Sequence, residues 1–262
     1  MKLGACLGYG DFKKYELAKK CGLDFGETDF TDIALAPEED FNTFCERVRA
    51  LGLPVLSANH FLPGDLKVVG DEVDSIALAE FLEKGFSRAQ KLGIKNVVFG
   101  SGKARSFNDG YSLEKANEDL VRFLKDIASP IAEEYDVNIV IEPLSFSETS
   151  MIHTVNDGVE FAEKAGFNHV YGLADLFHVY NNNDDIDGIG EFYGKIKHAH
   201  VAEIGTRIFP NENASEEVYR VYERFFTALK KAGCETCTIE ARTDDFEKDL
   251  PEAIKVIKKY IQ

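Results

Sequence analysis

One pattern recurs along this chain and limits what it can fold into: a glycine at the end of a basic or polar stretch, followed at once by a short apolar run. It appears as KCGLDF, ALGLPV, KLGIKNVV, KAGFNHV and KAGCETCTI. A glycine in the left-handed cap ends a helix, and the apolar run after it reads as a buried strand. Strands are expected near 2–7, 23–28, 53–59, 94–100, 137–142, 169–175, 195–201 and 234–240. Helices are expected near 11–21, 37–51, 73–92, 112–135, 154–165, 185–193, 215–232 and 247–261, with Phe41, Phe44, Val48 and Leu51 forming one apolar stripe. Eight strand–helix units, with no Pro/Ser-rich linker and no charge block, predict an α/β chain folded as one closed (β/α)8 TIM barrel over residues 1–262. A doubly wound open sheet is the alternative, but LGYGDF after the first strand does not match G-x-G-x-x-G.

Buried parallel strands are near-continuous apolar runs, because helices cover one side and packed side chains fill the other. Four of these strands nevertheless run into polar residues at their C-terminal ends: VNIVIE at Glu142, HVYGLAD at Asp175, IKHAHV at His200 and TCTIE at Glu240. A single acidic residue there is ordinarily a helix N-cap. Three carboxylates and an imidazole converging on one face of a barrel would repel one another without a cation, and one divalent metal ion resolves that.

Composition narrows the partners. Asp plus Glu number 46 against 30 Lys plus Arg, a formal charge of −16. Such a surface repels nucleic-acid backbones and anionic membranes, so neither is expected as a partner. The start, MKLGACLGYGDFKK, has no apolar leader, and no apolar stretch of about 18 residues follows, which predicts a cytoplasmic protein. Cys6, Cys21, Cys45, Cys234 and Cys237 are then expected as reduced thiols. The CETC spacing runs into a strand instead of opening a helix and lacks a second Cys/His pair, so it reads as neither redox nor zinc motif.

The loops that follow the strands should carry the remaining chemistry. SANHFLPGDLKVVG places His60 where a substrate could reach it or where it is hydrogen-bonded within the loop. GSGKAR offers Lys103 or Arg105 for a weak anion site, but it lacks the G-x-x-x-x-G-K-[ST] order and reads more simply as a tight turn with basic flanks. EPLSFSE adds Glu148, DLFHVYNN adds His178 three residues beyond Asp175, and Arg207 reads either as a hydrogen-bond donor for a substrate oxygen or as a surface arginine. His198 shares a strand face with His200 by the period-two rule and is expected as a packed core residue.

IEPLSFSE, LADLFH, HAHVAE with its following Arg, and IEAR, together with FLPGDLKVVG and FGSGKAR, resemble the xylose isomerase-like TIM barrels, the sugar phosphate isomerases and epimerases. Within that group the chain is most similar to the ketose 3-epimerases of the tagatose and psicose type, over essentially its whole length. The resemblance implies that Glu142, Asp175, His200 and Glu240 bind one divalent ion, Mn, Mg or Co. It further implies that Glu148, His178 and an Arg in the loop after the seventh strand hold substrate hydroxyls. The epimerase pattern places that Arg six residues after the metal His, where this chain has Thr206, with Arg207 next. The chain also has no Trp, so a hydrophobic substrate wall falls to Phe or Tyr, such as Tyr9 or Phe61.

The chemistry expected from that set is proton abstraction α to a carbonyl through a metal-stabilised enediolate, with Glu142 and Glu240 as the paired acid/bases. The substrate would be a small ketose, free instead of phosphorylated, and a homo-oligomer, dimer or tetramer, is compatible with the pattern. Aldose–ketose isomerases, hydroxypyruvate-type isomerases and inosose or dehydroshikimate-type dehydratases share the same opening step. The hydroxypyruvate group tends to carry Gln at the strand-seven ligand, where this chain has His200. A DNA repair endonuclease of this barrel class would need more histidines and a basic groove. A barrel used only as a sugar-binding scaffold would leave a complete ligand set idle.

Overall fold

The structure is a computed structural model that describes residues 1–261. Its strands are β1 (Lys2–Cys6), β2 (Phe25–Asp29), β3 (Val55–Asn59), β4 (Asn96–Phe99), β5 (Asn138–Ile141), β6 (Val170–Asp175), β7 (Ile196–Val201) and β8 (Thr236–Ile239). All are parallel and lie in sequence order, and β8 pairs back onto β1 to close the barrel. The helices outside it are α1 (Phe12–Lys20), α2 (Phe30–Leu35), α3 (Glu38–Leu51), α4 (Ser75–Leu92), α5 (Leu113–Phe123), α6 (Ser129–Glu134), α7 (Val155–Ala165), α8 (Leu176–Asn181), α9 (Glu216–Ala232) and α10 (Phe246–Ile261). The expected (β/α)8 barrel is therefore the observed fold.

The glycine hand-off works as read: Gly52, Gly93, Gly166 and Gly233 each cap a helix with φ between 70° and 89°. Three departures have local causes. The helix expected at 112–135 is α5 and α6 joined by a π-helical turn, Leu124–Ala128. The helix expected at 185–193 is a single 3-10 turn, Gly188–Glu191, because two glycines within four residues weaken an α-helix. Finally, α2 and α8 were not anticipated: six residues are too few for an apolar period to register. Each is started by the aspartate that ends the preceding strand. Asp29 accepts from the Asp32 amide, and Asp175 from the Phe177 amide.

Alternation along the strands sorts the core into two parts. Ile139 and Ile141 of β5 join Val97 and Phe99 of β4 in the main apolar layer beneath the helices. Between them, Val98, Val140 and Leu173 form a small inner cluster with Tyr171. Counting two residues on from Val140, Leu173, His198 and Thr238 gives Glu142, Asp175, His200 and Glu240. The same alternation that fills the barrel axis thus stacks the four polar residues above it, at the C-terminal mouth.

Candidate metal centre

One ligand atom from each of Glu142, Asp175, His200 and Glu240 lies within 4.8 Å of the others. His200 Nδ1 is 3.3 Å from Glu142 Oε1, 3.3 Å from Glu240 Oε2 and 4.0 Å from Asp175 Oδ2. Glu142, Asp175 and His200 are buried, and Glu240 is half-buried. Close approach is built into the backbone: a Cβ on Gly100, in the turn after β4, would stand 2.3 Å from Glu142 Oε2. Only glycine lets that carboxylate lie against the turn.

The charges do not balance within the protein. Asp175 has one oxygen committed to the α8 amide, while its Oδ2 is buried without a hydrogen-bond partner. Burial pushes its carboxyl up to about 6; His178 offsets part of this, and Glu142 and Glu240 add to it. Burial would likewise raise Glu240, but His200 and Arg207 hold it well below the usual carboxylate range. Burial would lower His200, yet Glu27 and Glu240 drive it well above the ordinary histidine value. Nε2 of the same ring is 3.0 Å from Glu27 Oε1, and an ionised carboxylate can only accept there, so Nε2 carries the proton and Nδ1 faces the three carboxylates. An imidazole nitrogen, several carboxylate oxygens and an orphaned buried oxygen form a donor set suited to a divalent ion of the Mg, Mn, Co or Zn class.

His178 stands over the centre on α8. Its Nδ1 accepts from the Ser145 amide at 3.1 Å and lies 2.8 Å from Ser145 Oγ, so the proton belongs on Nε2. That Nε2 is buried, unpartnered and 3.8 Å from Asp175 Oδ2. Glu148 Oε2 is 3.4 Å from His178 Nδ1, but with no proton between them Ser145 is the group that orients the ring. Arg207 closes the other side. Its Nη2 donates to Glu240 Oε2 at 2.6 Å and lies 3.7 Å from Asp175 Oδ2, while Nη1 is 3.8 Å from Glu148 Oε1. The guanidinium stacks over Phe177 at 5.0 Å, and its residue adopts a left-handed backbone, φ 57°. The Arg one place later in sequence thus still reaches the ligands.

Other expected residues lie elsewhere. His60 is at the end of β3, but its exposed ring pairs with Asp29 instead of a ligand. Phe61 is not a substrate wall: it is fully buried against Phe30, Phe86 and Phe99, with centroids 5.4, 5.8 and 5.1 Å away. Tyr9 packs on Phe44 at 4.8 Å. GSGKAR presents only one of its two cations to solvent. Arg105 is fully buried, its Nη2 donating to the Glu142 carbonyl at 3.1 Å and its guanidinium 5.3 Å from the Phe99 ring, while Lys103 stays exposed.

His198 is buried but is not merely packed: its Nε2 is 2.8 Å from Glu27 Oε2. Glu27 itself was missed. The visible signal was a glutamate in the middle of FGETD, at a strand position that should be apolar.

The sequence matches the family described as Xylose isomerase-like TIM barrel over residues 15–260. No curated protein matches it. Among solved structures, D-psicose 3-epimerase from Clostridium cellulolyticum H10, crystallised with D-tagatose, is similar at 18% identity, 100% coverage of both chains and a TM-score of 0.83. The 3-keto-D-glucoside 4-epimerase of E. coli is similar at 18% identity, covering 99% of each chain with a TM-score of 0.81. A zinc-bound structure of the IOLI protein is similar at 20% identity and TM-score 0.70, covering 99% of this chain and 96% of its own.

Proposed function

Since this chain belongs to the xylose isomerase-like TIM barrel family, we propose that it is a divalent-metal-dependent sugar epimerase, inverting C3 of a small free ketose. One observation carries this reading. Glu142 on the β5 side and Glu240 on the β8 side, two strands lying between them, both stand 3.3 Å from the same imidazole nitrogen. Two carboxylates approaching one point from different strands are what an inversion needs.

Glu142, Asp175, His200 and Glu240 would hold the ion, which when bound supplies Lewis-acid stabilisation for charge developing on neighbouring sugar oxygens. One glutamate takes the proton from C3; the C3–H electron pair moves into the C2–C3 bond and the carbonyl pair onto O2. The other glutamate, carrying a proton when the ketose binds, gives it to the opposite face of C3 as the carbonyl re-forms, and the pair regains its starting protonation by exchange with solvent. His178 Nε2–H, with no partner inside the protein, is the donor for the O2 charge. Arg207 and Glu148 lie on the same side for hydroxyls further along the sugar. Burial of the ligands and of His178 keeps bulk water from competing for these hydrogen bonds.

The mouth also favours a neutral substrate. Asp175, Glu240 and Glu148 lie within 4 Å of a single arginine, Glu142 stands beside them, and Arg105 is enclosed against the Glu142 backbone. A phosphate dianion would face these carboxylates directly. The test is a screen of free and phosphorylated ketoses in D2O with metal-reconstituted protein, read by NMR. Deuterium at C3 is expected. Deuterium at C1 or C2 alone would mean an isomerase, and a deoxy or vinylic product a dehydratase.

A further inference from the structure

Directly beneath the four ligands, Glu27 collects hydrogen bonds from five side chains on four other strands. Oε1 lies 3.0 Å from His200 Nε2 and 3.2 Å from Cys6 Sγ. Oε2 lies 2.5 Å from Ser57 Oγ, 2.8 Å from His198 Nε2 and 3.0 Å from Thr238 Oγ1. Glu27, His198 and His200 are each fully buried. A second path leads upward: Asn59 Nδ2 donates to Glu240 Oε1 at 3.3 Å and lies 3.5 Å from Cys6 Sγ.

We infer that Glu27, with His198 behind it, is a positioning device that fixes the ring of His200 and, through Cys6 and Asn59, steadies the carboxylate of Glu240. This rests on the metal reading above and goes beyond it, because neither Glu27 nor His198 is among the ligands. An imidazole presents the correct nitrogen to a metal only if the other is held, and a carboxylate on that other nitrogen is a common way to hold it. Here Glu27 fixes Nε2 as the atom that keeps its proton, so the nitrogen a metal would take is Nδ1, 3.3 Å from Glu142 and from Glu240. His198 is fixed in turn. Its Nε2 donates to the ionised Glu27, and its Nδ1 lies 2.8 Å from Thr236 Oγ1, a hydroxyl that is itself 3.1 Å from the Lys197 carbonyl. Glu27, His198 and His200 could on composition alone hold an ion themselves. But the direct contacts to Glu27 already use both histidine Nε2 atoms, and Ser57 and Thr238 take up remaining acceptor capacity. The layer is a hydrogen-bonded foundation for one metal, not a second metal site.

The experiment titrates Mn²⁺ into metal-stripped wild-type and Glu27→Gln protein by calorimetry and EPR, with circular dichroism to establish that both are folded. Glu27→Gln is expected to weaken Mn²⁺ binding about 10–100-fold, with turnover recovering in part once Mn²⁺ is saturating. In the zinc-loaded wild-type protein, long-range ¹H–¹⁵N NMR should show His200 protonated at Nε2 and metal-bound at Nδ1, a readout independent of whether the variant folds. Unchanged affinity in folded Glu27→Gln, metal on His200 Nε2, or two Mn²⁺ ions per chain would each overturn the inference while leaving the metal reading standing. A wild-type chain that takes no Mn²⁺ overturns both.

Discussion

Two polar layers lie one above the other inside this barrel, and they differ in how completely they are satisfied. In the lower one, both Glu27 oxygens and both His198 nitrogens have partners within hydrogen-bonding distance. In the upper one, Asp175 Oδ2 and His178 Nε2 are buried with none. A buried polar atom left unpaired costs about 1–3 kcal/mol, so the two layers make opposite contributions to the fold. The lower is a polar network that the protein closes by itself. The upper is one that the protein leaves to be closed by something else. His200 belongs to both, with one nitrogen in each.

The largest expected effect lies in the upper layer. Glu240→Gln and Glu142→Gln should each lower turnover about 10²–10⁴-fold with the fold intact, Glu240→Gln at some cost in the melting temperature of metal-free protein because its carboxylate is paired with His200 and Arg207. Unfolding of either variant would break the contrast, since the upper layer would then be structural. The lower layer should respond the other way. Thr238→Val removes a donor to Glu27 and should cost about 1–3 kcal/mol in denaturant melts, with turnover at saturating metal close to that of the parent.

Protons sharpen the contrast further. Asp175 titrates at about 6 in the folded chain against an ordinary 3.8, so its contribution to metal-free stability is complete below pH 3.8 and lost as pH rises through about 6. The raised His200 has the same sign, its contribution fading at still higher pH. A metal needs both groups deprotonated. Binding affinity should therefore climb across pH 4–6 and beyond, with proton release measurable by calorimetry in buffers of different ionisation enthalpy. Affinity that is flat over that range would remove Asp175 from the ligand set. The smallest effect is expected at the rim: Lys103→Glu should leave the Michaelis constant for a neutral ketose unchanged. A large, salt-sensitive rise would reassign the substrate to an anion.

Much of this was legible in the sequence, for a physical reason. Strand ends and glycine caps are local signals, and the barrel's closure turns local strand ends into one shared mouth. Glu142, Asp175, His200 and Glu240 could thus be grouped without knowing any distance. Asp175 shows how two readings can both hold, since one oxygen caps a helix while the other faces the centre. What escaped notice depended on pairing between strands distant in sequence. Nothing local to FGETD says that its glutamate meets two histidines more than 170 residues away, the separation being 171 for His198 and 173 for His200. Ser145 was missed because its partner, His178, is carried by a helix too short to show a period. Arg105 was misassigned because a basic residue beside glycines looks exposed in sequence, whereas here it supports the backbone of Glu142 from below.

The divided role of Asp175 has a kinetic consequence. One of its oxygens anchors the first turn of α8, the helix that carries His178, and the other faces the proposed metal centre. Whatever steadies that carboxylate also steadies His178, the proposed donor to the substrate. Assembly should therefore be ordered, metal first and sugar second, with the sugar meeting a His178 already set in place. Amide hydrogen exchange across residues 177–181 would show it, as slowed exchange on metal loading alone and little further slowing when a ketose is added.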